Sequence, residues 1–317
     1  MKRKIDVAVL RITTLSVLIL ALIILWTPQG YASAPKIDFK LLYHAAQLAN
    51  RVYDGKSDII GAYPGRSAWV ATPGNTDVQY VLLHNKRKKN QAIAVRGTID
   101  DANWSSDMDT RGVQDQKAGI LMHRGFKNLA QAIYRDLKPR LKPNYNIYLT
   151  GHSLGGAVAA ILGTYLVNDG YKVAGIYTFG QPKFTNAAGA KVYAKLPLLR
   201  VIYQNDIVST FPDETKSGAE TFVHIGPSVN LLSGPYYAFV PADKASSLSQ
   251  GSMHRFLPQL SVPDHKMKWY LQGLRDKLKD AKRVSFKDRN RYIVRHKRGS
   301  GIETTTTRKR YNFNKHP

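Results

Sequence analysis

The feature that most constrains the fold is a glycine-rich turn, GHSLGG at residues 151–156, with Ser153 at the centre of a G-x-S-x-G pattern. It follows the apolar run 146–150 and precedes a run rich in small residues, 157–163. A strand that turns sharply into a helix needs glycines where the two backbones converge, and it raises the central side chain clear of the sheet. We predict such a turn here and interpret His152 as a positional neighbour of the serine. The alternative is a turn that carries no chemistry.

Strand-like and helix-like runs alternate along most of the chain. The predicted helices are 38–53, 126–137, 157–166, 187–195 and 267–278, and the predicted strands are 78–84, 92–95, 145–149, 173–179, 199–203 and 221–225. Strands that alternate with helices favour a parallel sheet with both faces covered. The expected fold class is therefore α/β, with a mostly parallel central sheet and helices on both faces.

Residues 1–34 have the order of a secretory signal peptide. Three basic residues at 2–4 precede the apolar run 12–26, and Ala-Ser-Ala at 32–34 offers a cleavage site. The apolar run is shorter than the roughly 20 residues that cross a bilayer as a helix. We therefore expect cleavage and export, to the periplasm or out of the cell, with an uncleaved membrane anchor as the alternative.

Positive charge dominates the chain, with 47 Lys and Arg against 22 Asp and Glu and a formal net charge of +25. Residues 275–317 alone hold fifteen Lys or Arg and four acidic residues. We predict a signal peptide at 1–34, a folded domain at 35–283 and a basic, partly disordered C-terminal extension at 284–317. Such a charge excess predicts an anionic partner or surface.

A serine hydroxyl becomes a good nucleophile only when a base accepts its proton and a carboxylate orients that base. On sheets of this kind the acid and the base follow the serine, on loops after later strands. Asp206 directly follows the predicted strand 199–203, at the carboxyl end where catalytic groups gather, so we prefer it as the acid. Asp213 is the next candidate, and Asp243 and Asp264 have no preceding strand.

Four histidines after the acid are candidates for the base: His224, His254, His265 and His296. His224 lies inside a predicted strand and His296 lies in the basic extension, so neither is expected to act. His265 immediately precedes the predicted helix 267–278, which can anchor it against the sheet. His254 has no such anchor, so we prefer His265 and keep His254 as the alternative.

Negative charge that develops on an acyl oxygen needs two hydrogen-bond donors aimed at it. The N–H of Leu154, the residue after the serine, is expected to be one. The second is expected from a turn after an early strand, and strand 92–95 is followed by Arg-Gly-Thr at 96–98, which places Thr98 at the mouth of the site. A plain turn is the alternative.

The chain contains no cysteine. This excludes disulfide scaffolds, thiol nucleophiles and cysteine-ligated zinc or iron–sulfur centres. The serine chemistry considered above needs neither a metal nor a cofactor, so none is expected.

Taken together, these residues resemble the class 3, or fungal-type, lipases of the α/β-hydrolase superfamily. The resemblance runs from about residue 92 to residue 274. Its segments are AVRGT at 94–98, Trp104 with Asp107, HRGF at 123–126, LTGHSLGGA at 149–157, YTFGQPKF at 177–184, QNDIVSTFP at 204–212, FVHIG at 222–226 and DHKMKWYL at 264–271. The roles that it implies are Ser153 as nucleophile, Asp206 as acid, His265 as base, and Thr98 with Leu154 as the oxyanion hole.

Two segments depart from the family pattern. Lipases of this family carry an amphipathic lid after the oxyanion turn, whereas residues 99–110 are polar here and offer little apolar surface. The insertion 230–247, between acid and base, is more apolar. It is expected either to border the acyl-binding cleft or to pack on the core as a hydrophobic loop.

The resemblance implies a serine carboxylester hydrolase that cleaves acylglycerol or phospholipid esters through an acyl-enzyme. The basic extension favours an anionic membrane surface as a further partner, and nucleic acid is not expected because the chain is predicted to be exported. Two alternatives stay open. One is an acyltransferase that uses the same residues, and the other is a catalytically inactive hydrolase-fold protein that binds through its basic extension.

Overall fold

The computed structural model describes residues 35–74, 76–98, 111–212, 221–244 and 263–294. The helices are α1 (Phe39–Arg51), α2 (Lys56–Gly61), α3 (Arg124–Leu137), α4 (Leu154–Asn168), α5 (Ala187–Val192) and α6 (Met267–Arg275). The strands are β1 (Ser67–Ala71), β2 (Tyr80–Asn85), β3 (Asn90–Val95), β4 (Gly112–Asp115), β5 (Ile120–His123), β6 (Asn146–His152), β7 (Val173–Phe179), β8 (Leu198–Tyr203), β9 (Ser228–Leu231), β10 (Tyr236–Val240) and β11 (Lys282–Val284). The chain divides into two units, Met1–Ile37 and Asp38–Pro317, and all of these elements belong to the second.

Nine of the strands form one sheet in the order β1-β2-β3-β6-β7-β8-β9-β10-β11. Strands β3, β6, β7, β8 and β9 run parallel to one another. The β1–β2, β2–β3 and β9–β10 pairs are antiparallel, and β4 with β5 forms a separate hairpin. The predicted α/β class with a mostly parallel central sheet is confirmed.

Helices cover both faces of this sheet. Helix α4 packs on β6, β7 and α3, while α1 packs on β6, β7 and α6. Every residue of α4 from Leu154 to Leu166 is buried, as expected for a helix that is apolar all round. Helix α1 begins at Asp38, whose carboxylate accepts a hydrogen bond from the N–H of Leu41 at 2.9 Å and so satisfies one of the free donors of the first turn.

One predicted strand is wrong. Residues 221–225 form no strand of the sheet, and Val223 makes only an isolated bridge to Thr185. The strand that joins β8 is instead β9, which begins after the left-handed Gly226 (φ 74°). The apolar residues of 221–225 are buried in the core without a ladder of hydrogen bonds, so their composition resembles that of a strand although their pairing does not.

The apolar insertion 230–247 is not a loop over its first half. It contributes the end of β9 and all of β10, and these two strands pair in an antiparallel hairpin. The ammonium of Lys277 donates to the carbonyls of Leu232 and Gly234, at 2.8 and 2.7 Å, and holds the turn between them. The hairpin therefore extends the sheet rather than lining a cleft as a free loop.

The start of the predicted basic extension lies against the edge of the sheet. Strand β11 pairs in parallel with β10, and a 3₁₀ helix, Phe286–Tyr292, follows it. The Ser233 N–H donates to the carbonyl of Tyr292 at 2.9 Å. The rings of Tyr236 and Tyr292 lie 4.3 Å apart. The described part of the extension, to residue 294, is thus in contact with the sheet.

The turn from β6 into α4 is packed without space for a larger residue. A methyl group added at Gly155 would lie 2.2 Å from the carbonyl oxygen of Val95 and 2.7 Å from the carbonyl carbon of Arg96. Real contacts at that range do not occur, so the backbone after β3 would have to move. This is the steric reason for a glycine at the second end of the G-x-S-x-G pattern.

We therefore expect Gly155→Ala to lower the free energy of unfolding by about 3 kcal/mol or more. The added methyl group would collide with backbone atoms, which cannot move aside as a flexible side chain can. Gly61→Ala is the matched control, because a methyl group there meets nothing within 4 Å. In that helical position alanine should leave stability unchanged or raise it by up to about 1 kcal/mol. Urea denaturation of both variants measures the difference, and equal stability would contradict the steric argument.

Candidate active site

Ser153 lies at the apex of the turn between β6 and α4. Its backbone has φ 57° and ψ −134°, a conformation that costs a residue with a side chain on the order of 1–3 kcal/mol. The Ser153 N–H donates to the carbonyl of Phe179, at the end of β7, with a distance of 2.9 Å. The neighbouring strand therefore holds the serine in the strained conformation that the sequence pattern predicted.

The predicted acid and the predicted base are in direct contact. Asp206 follows β8, and His265 closes the 3₁₀ turn Pro263–His265 just before α6. His265 Nδ1 lies 2.8 Å from Asp206 Oδ2, and the two residues are 1% exposed each. Fifty-nine residues of chain separate them, so the contact is purely tertiary.

The environment of Asp206 keeps its carboxylate ionised. Burial pushes the pKa of Asp206 upward, but the electrostatic interaction with His265 and the hydrogen bonds from His265 and Tyr270 hold it below its ordinary value. The N–H of Val208 also donates to Oδ1 at 2.9 Å. The carboxylate accepts at both oxygens, as a buried charge requires.

This contact also fixes the hydrogens of His265. An ionised carboxylate can only accept, so Nδ1 of the neutral imidazole carries the hydrogen and Nε2 is left as the acceptor. His265 Nε2 is buried and has no hydrogen-bond partner among the described residues. The ring is therefore oriented with one nitrogen available to take a proton.

Helix α6 packs against β8, β9 and α1 and so positions His265, the predicted base. Tyr270, one turn into the helix, donates its hydroxyl to Asp206 Oδ2. Burial, together with the charge of Asp206, raises the pKa of Tyr270 well above its ordinary value, so the hydroxyl stays protonated and keeps donating. The helix thus fixes both the acid and the base that precedes it.

A second set of hydrogen bonds joins three loops through His152. The hydroxyl of Tyr53, just after α1, lies 3.0 Å from His152 Nδ1 and accepts the N–H of Gly97 at 3.1 Å. His152 Nε2 lies 2.7 Å from the carbonyl oxygen of His265. Since a carbonyl only accepts, Nε2 of His152 carries the hydrogen and Nδ1 accepts from Tyr53. The rings of His152 and His265 also stack, with centroids 4.4 Å apart.

The two predicted oxyanion donors lie on elements adjacent to the serine. Leu154 is the first residue of α4, so its N–H has no acceptor within the helix. Thr98 follows Gly97, where an added methyl group would be 3.1 Å from the Ser153 Cβ. Strand β3, which ends just before this turn, pairs directly with β6. Both donors therefore belong to loops that meet at the serine.

The other acid candidates are placed differently. Asp264 accepts the N–H of Asn205 at 3.3 Å, and Asp243 is exposed. Asp213 lies outside the described residues. Within the described ranges, no group of three or more His, Asp or Glu side chains is arranged to hold a metal ion.

Among the other histidines, His224 Nε2 lies 2.7 Å from the carbonyl oxygen of Ser209. Burial and the charges of Arg200 and Lys183 lower the pKa of His224 well below its ordinary value, so it is a neutral core residue. His254 and His296 lie outside the described residues, as does the polar segment 99–110 that stands where lipases of the family carry a lid.

Sequence reasoning missed Tyr53 and Tyr270 and treated His152 only as a neighbour of the serine. No local motif marks Tyr53, because its role arises from a contact across 99 residues of chain. For Tyr270 a signal exists, since it stands on the inner face of the helix predicted after His265. A hydroxyl on that face could have been considered as a partner for the acid.

The part of the chain that contains Ser153 and Asp206 is similar in sequence to known proteins. Residues 92–216 match the family model described as Lipase (class 3). A secreted mono- and diacylglycerol lipase of Fusarium solani is 33% identical over 114 residues, which cover 34% of each chain. A secreted mono- and diacylglycerol lipase of Penicillium cyclopium is 32% identical over 152 residues, 44% of this chain and 48% of that one. The chain thus aligns with less than half the length of these relatives.

Likeness in three dimensions is more extensive. The triacylglyceride lipase of Rhizomucor miehei superposes with a TM-score of 0.57 over 71% of this chain and 91% of that one, at 21% identity. At this identity the likeness concerns the fold. It extends well beyond the segment that the family model matches.

The buried His152 predicts a specific pH dependence of stability. Burial, together with the electrostatic interaction with His265, lowers the pKa of His152 from 6.5 to about 3. Between these two pH values the unfolded chain binds a proton that the folded chain does not, so stability must fall as pH drops below about 6.5. Each such proton contributes at most about 1.4 kcal/mol per pH unit.

We expect His152→Gln to flatten the plot of unfolding free energy against pH between about 3 and 6.5. His44→Gln is the control, because His44 is exposed on α1. Urea denaturation at half-unit pH steps measures both slopes. Identical slopes for the wild type and His152→Gln would contradict a neutral, buried His152.

Proposed function

We propose that the chain, whose residues 92–216 match the class 3 lipase family model, is a serine carboxylester hydrolase that cleaves lipid esters through an acyl-enzyme. The observation that carries the proposal is the buried hydrogen bond of 2.8 Å between Asp206 and His265. It leaves an imidazole nitrogen available as a base, in a site whose serine is held in a strained, raised conformation.

In the first half of the reaction the Ser153 hydroxyl oxygen attacks the acyl carbonyl carbon while His265 Nε2 takes the hydroxyl proton. The negative charge moves to the carbonyl oxygen, where the N–H groups of Leu154 and Thr98 donate to it. Asp206 stabilises the resulting imidazolium. Collapse of the intermediate breaks the ester bond, and His265 passes its proton to the leaving alcohol.

In the second half a water molecule replaces the alcohol. His265 accepts a proton from the water as its oxygen attacks the acyl-enzyme, and the same two N–H donors stabilise the second intermediate. Collapse releases a carboxylic acid and returns the proton to Ser153. His152, whose pKa is lowered to about 3, stays neutral beside His265 throughout and so adds no repulsion to the transient imidazolium.

Acylglycerols and phospholipids are the substrate classes that we propose. Support for acylglycerols comes from the relatives named as mono- and diacylglycerol lipases. The net charge of about +22 that remains without residues 1–34 supports phospholipids, because a cationic protein concentrates at anionic lipid surfaces.

We expect a fluorophosphonate probe to label the wild type and to leave Ser153→Ala unlabelled, because the probe reacts only with an activated serine. Asp206→Asn should lower ester turnover by about 10⁴-fold, since an amide no longer holds the imidazole in the acceptor tautomer. Gel fluorescence and p-nitrophenyl ester hydrolysis measure the two effects.

Ser153→Gly is the folding control. Glycine adopts φ 57° without strain, so this variant should be at least as stable as the wild type while it fails to react. Labelling that persists without Ser153, or a fully active Asp206→Asn, would contradict the proposal and favour a binding protein.

We further propose that the protein is exported and that its basic extension attaches it to anionic membranes. Within the described ranges, no helix is long and apolar enough to cross a bilayer. The N–H of Val294 donates to Gln204 Oε1 at 2.8 Å, two residues before Asp206 in the loop after β8. Val294 therefore lies at the end of the strands where the proposed site is found, and residues 295–317 hold seven Lys or Arg against one acid.

Deleting residues 295–317 should abolish binding to vesicles that contain phosphatidylglycerol and leave turnover of a soluble ester unchanged. Each basic residue near the surface contributes about 1 kcal/mol. A variant of full length with its seven Lys and Arg in 295–317 replaced by Gln is the matched control and should lose binding equally. Vesicle sedimentation measures the effect, and binding that survives both changes would contradict a role for the extension.

A further inference from the structure

A second concave site lies away from Ser153. It is a cavity of about 370 Å³ between the start of β1, the end of β2 and the segment that leads into β6. This volume falls within the range of pockets that hold small molecules. Its chemistry-bearing side chains are Trp69, His84, Lys86, Arg140, Lys142 and Tyr145.

The cavity is strongly basic. Lys86, Arg140 and Lys142 line it, and no carboxylate does. In the part of the chain that the structure describes, neither lysine forms an ion pair. Arg140 pairs through Nη1 with Asp136 at 3.1 Å, which lies outside the lining. The cavity therefore holds an excess of two positive charges beyond that pair.

Arg140 is held in a fixed orientation. Its guanidinium lies 4.1 Å from the centroid of the Trp69 ring, while Asp136 binds one of its edges. A stacked and anchored guanidinium loses little side-chain entropy when a ligand binds. Among the described residues, Nε and Nη2 of Arg140 have no acceptor and so can donate to an anion.

The cavity also offers apolar and aromatic surface. Trp69 is 43% exposed, so part of its ring surface is open to contact with a ligand. Tyr145 packs edge-on to His84, with ring centroids 6.4 Å apart. His84 Nε2 is buried and has no partner among the described residues. The lining thus suits an anion that carries an apolar body.

The position of the cavity separates it from the proposed active site. It borders the start of β6, whereas Ser153 follows the end of that strand seven residues later. At about 3.3 Å per residue the two sites are about 20 Å apart, at opposite ends of the parallel strands. A ligand here does not enter through the surface from which the ester substrate reaches Ser153.

We propose that this cavity binds a small phosphate monoester, with the phosphate between Lys86, Lys142 and Arg140 and an apolar or aromatic body against Trp69 and Tyr145. A phosphate dianion matches the excess of two charges, whereas a carboxylate neutralises only one. Lysine serves as a point charge and arginine as a directional donor for phosphate oxygens. Because we propose that the protein is exported, its ligand is expected among soluble phosphate esters outside the cytoplasm.

Phenyl phosphate is the probe, titrated at constant ionic strength so that general screening does not change. We expect saturable binding by calorimetry, accompanied by a change in tryptophan fluorescence that disappears in Trp69→Phe. Inorganic phosphate and benzoate should each bind at least about tenfold more weakly, because the first lacks the aromatic ring and the second lacks the phosphate group. Fluorophosphonate labelling of Ser153 should not change when phenyl phosphate is bound.

The double variant Lys86→Gln/Lys142→Gln should weaken phenyl phosphate binding by about a hundredfold, with about tenfold for each charged contact. Neither lysine makes a described ion pair, so the fold should be retained and ester turnover should stay unchanged. Lys88→Gln is the matched control, because it removes a charge from the same hairpin outside the cavity. Absence of saturable binding, equal affinity in the double variant and Lys88→Gln, or benzoate binding as tightly as phenyl phosphate would overturn the proposal.

Discussion

The buried contact between Asp206 and His265 is the interaction on which the rest of the site depends. A carboxylate removed from water is costly unless hydrogen bonds satisfy both of its oxygens. Here the imidazole, a tyrosine hydroxyl and a backbone N–H do so together. These donors come from elements distant in sequence, so the carboxylate is stable only when β8, the turn before α6 and α6 itself have docked. The same docking leaves the other imidazole nitrogen available to a nucleophile.

The serine depends on its neighbours in another way. Its backbone strain is tolerated because β7 holds its N–H and because the backbone after β3 packs against Gly155 with no room to spare. His152 then links this turn to the base through the His265 carbonyl, and to the oxyanion turn through Tyr53. Three loops that meet at the proposed active site are therefore joined by hydrogen bonds among themselves. Such cross-links limit how far each loop can move independently, which is the preorganisation that charge stabilisation requires.

The parallel sheet separates two kinds of surface. The carboxyl ends of its parallel strands carry Ser153, Asp206 and His265, and the chain returns to this end at Val294 after β10 and β11 have widened the sheet. The amino ends of the parallel strands carry a basic cavity with no carboxylate in its lining. Positive charge is thus present at both ends of the strands, but in different forms. At the amino end it includes Arg140, which is fixed by stacking on Trp69 and by a salt bridge with Asp136.

Local sequence determined the elements whose signal is local. The strand before the serine, the buried strand β7 and the amphipathic helix α1 follow from periodicity alone, and the glycines around Ser153 follow from the steric needs of a sharp turn. Chain order and strand ends singled out Asp206 and His265, because parallel strands bring their carboxyl ends to one edge. Only the tertiary structure decided that residues 221–225 lie in the core without pairing while 228–231 form the strand, since both segments bury apolar side chains and hydrogen-bond partners are not encoded in composition. It also decided the roles of Tyr53, His152 and Tyr270, because a hydroxyl or an imidazole acquires its partner only when segments far apart in the chain are packed together.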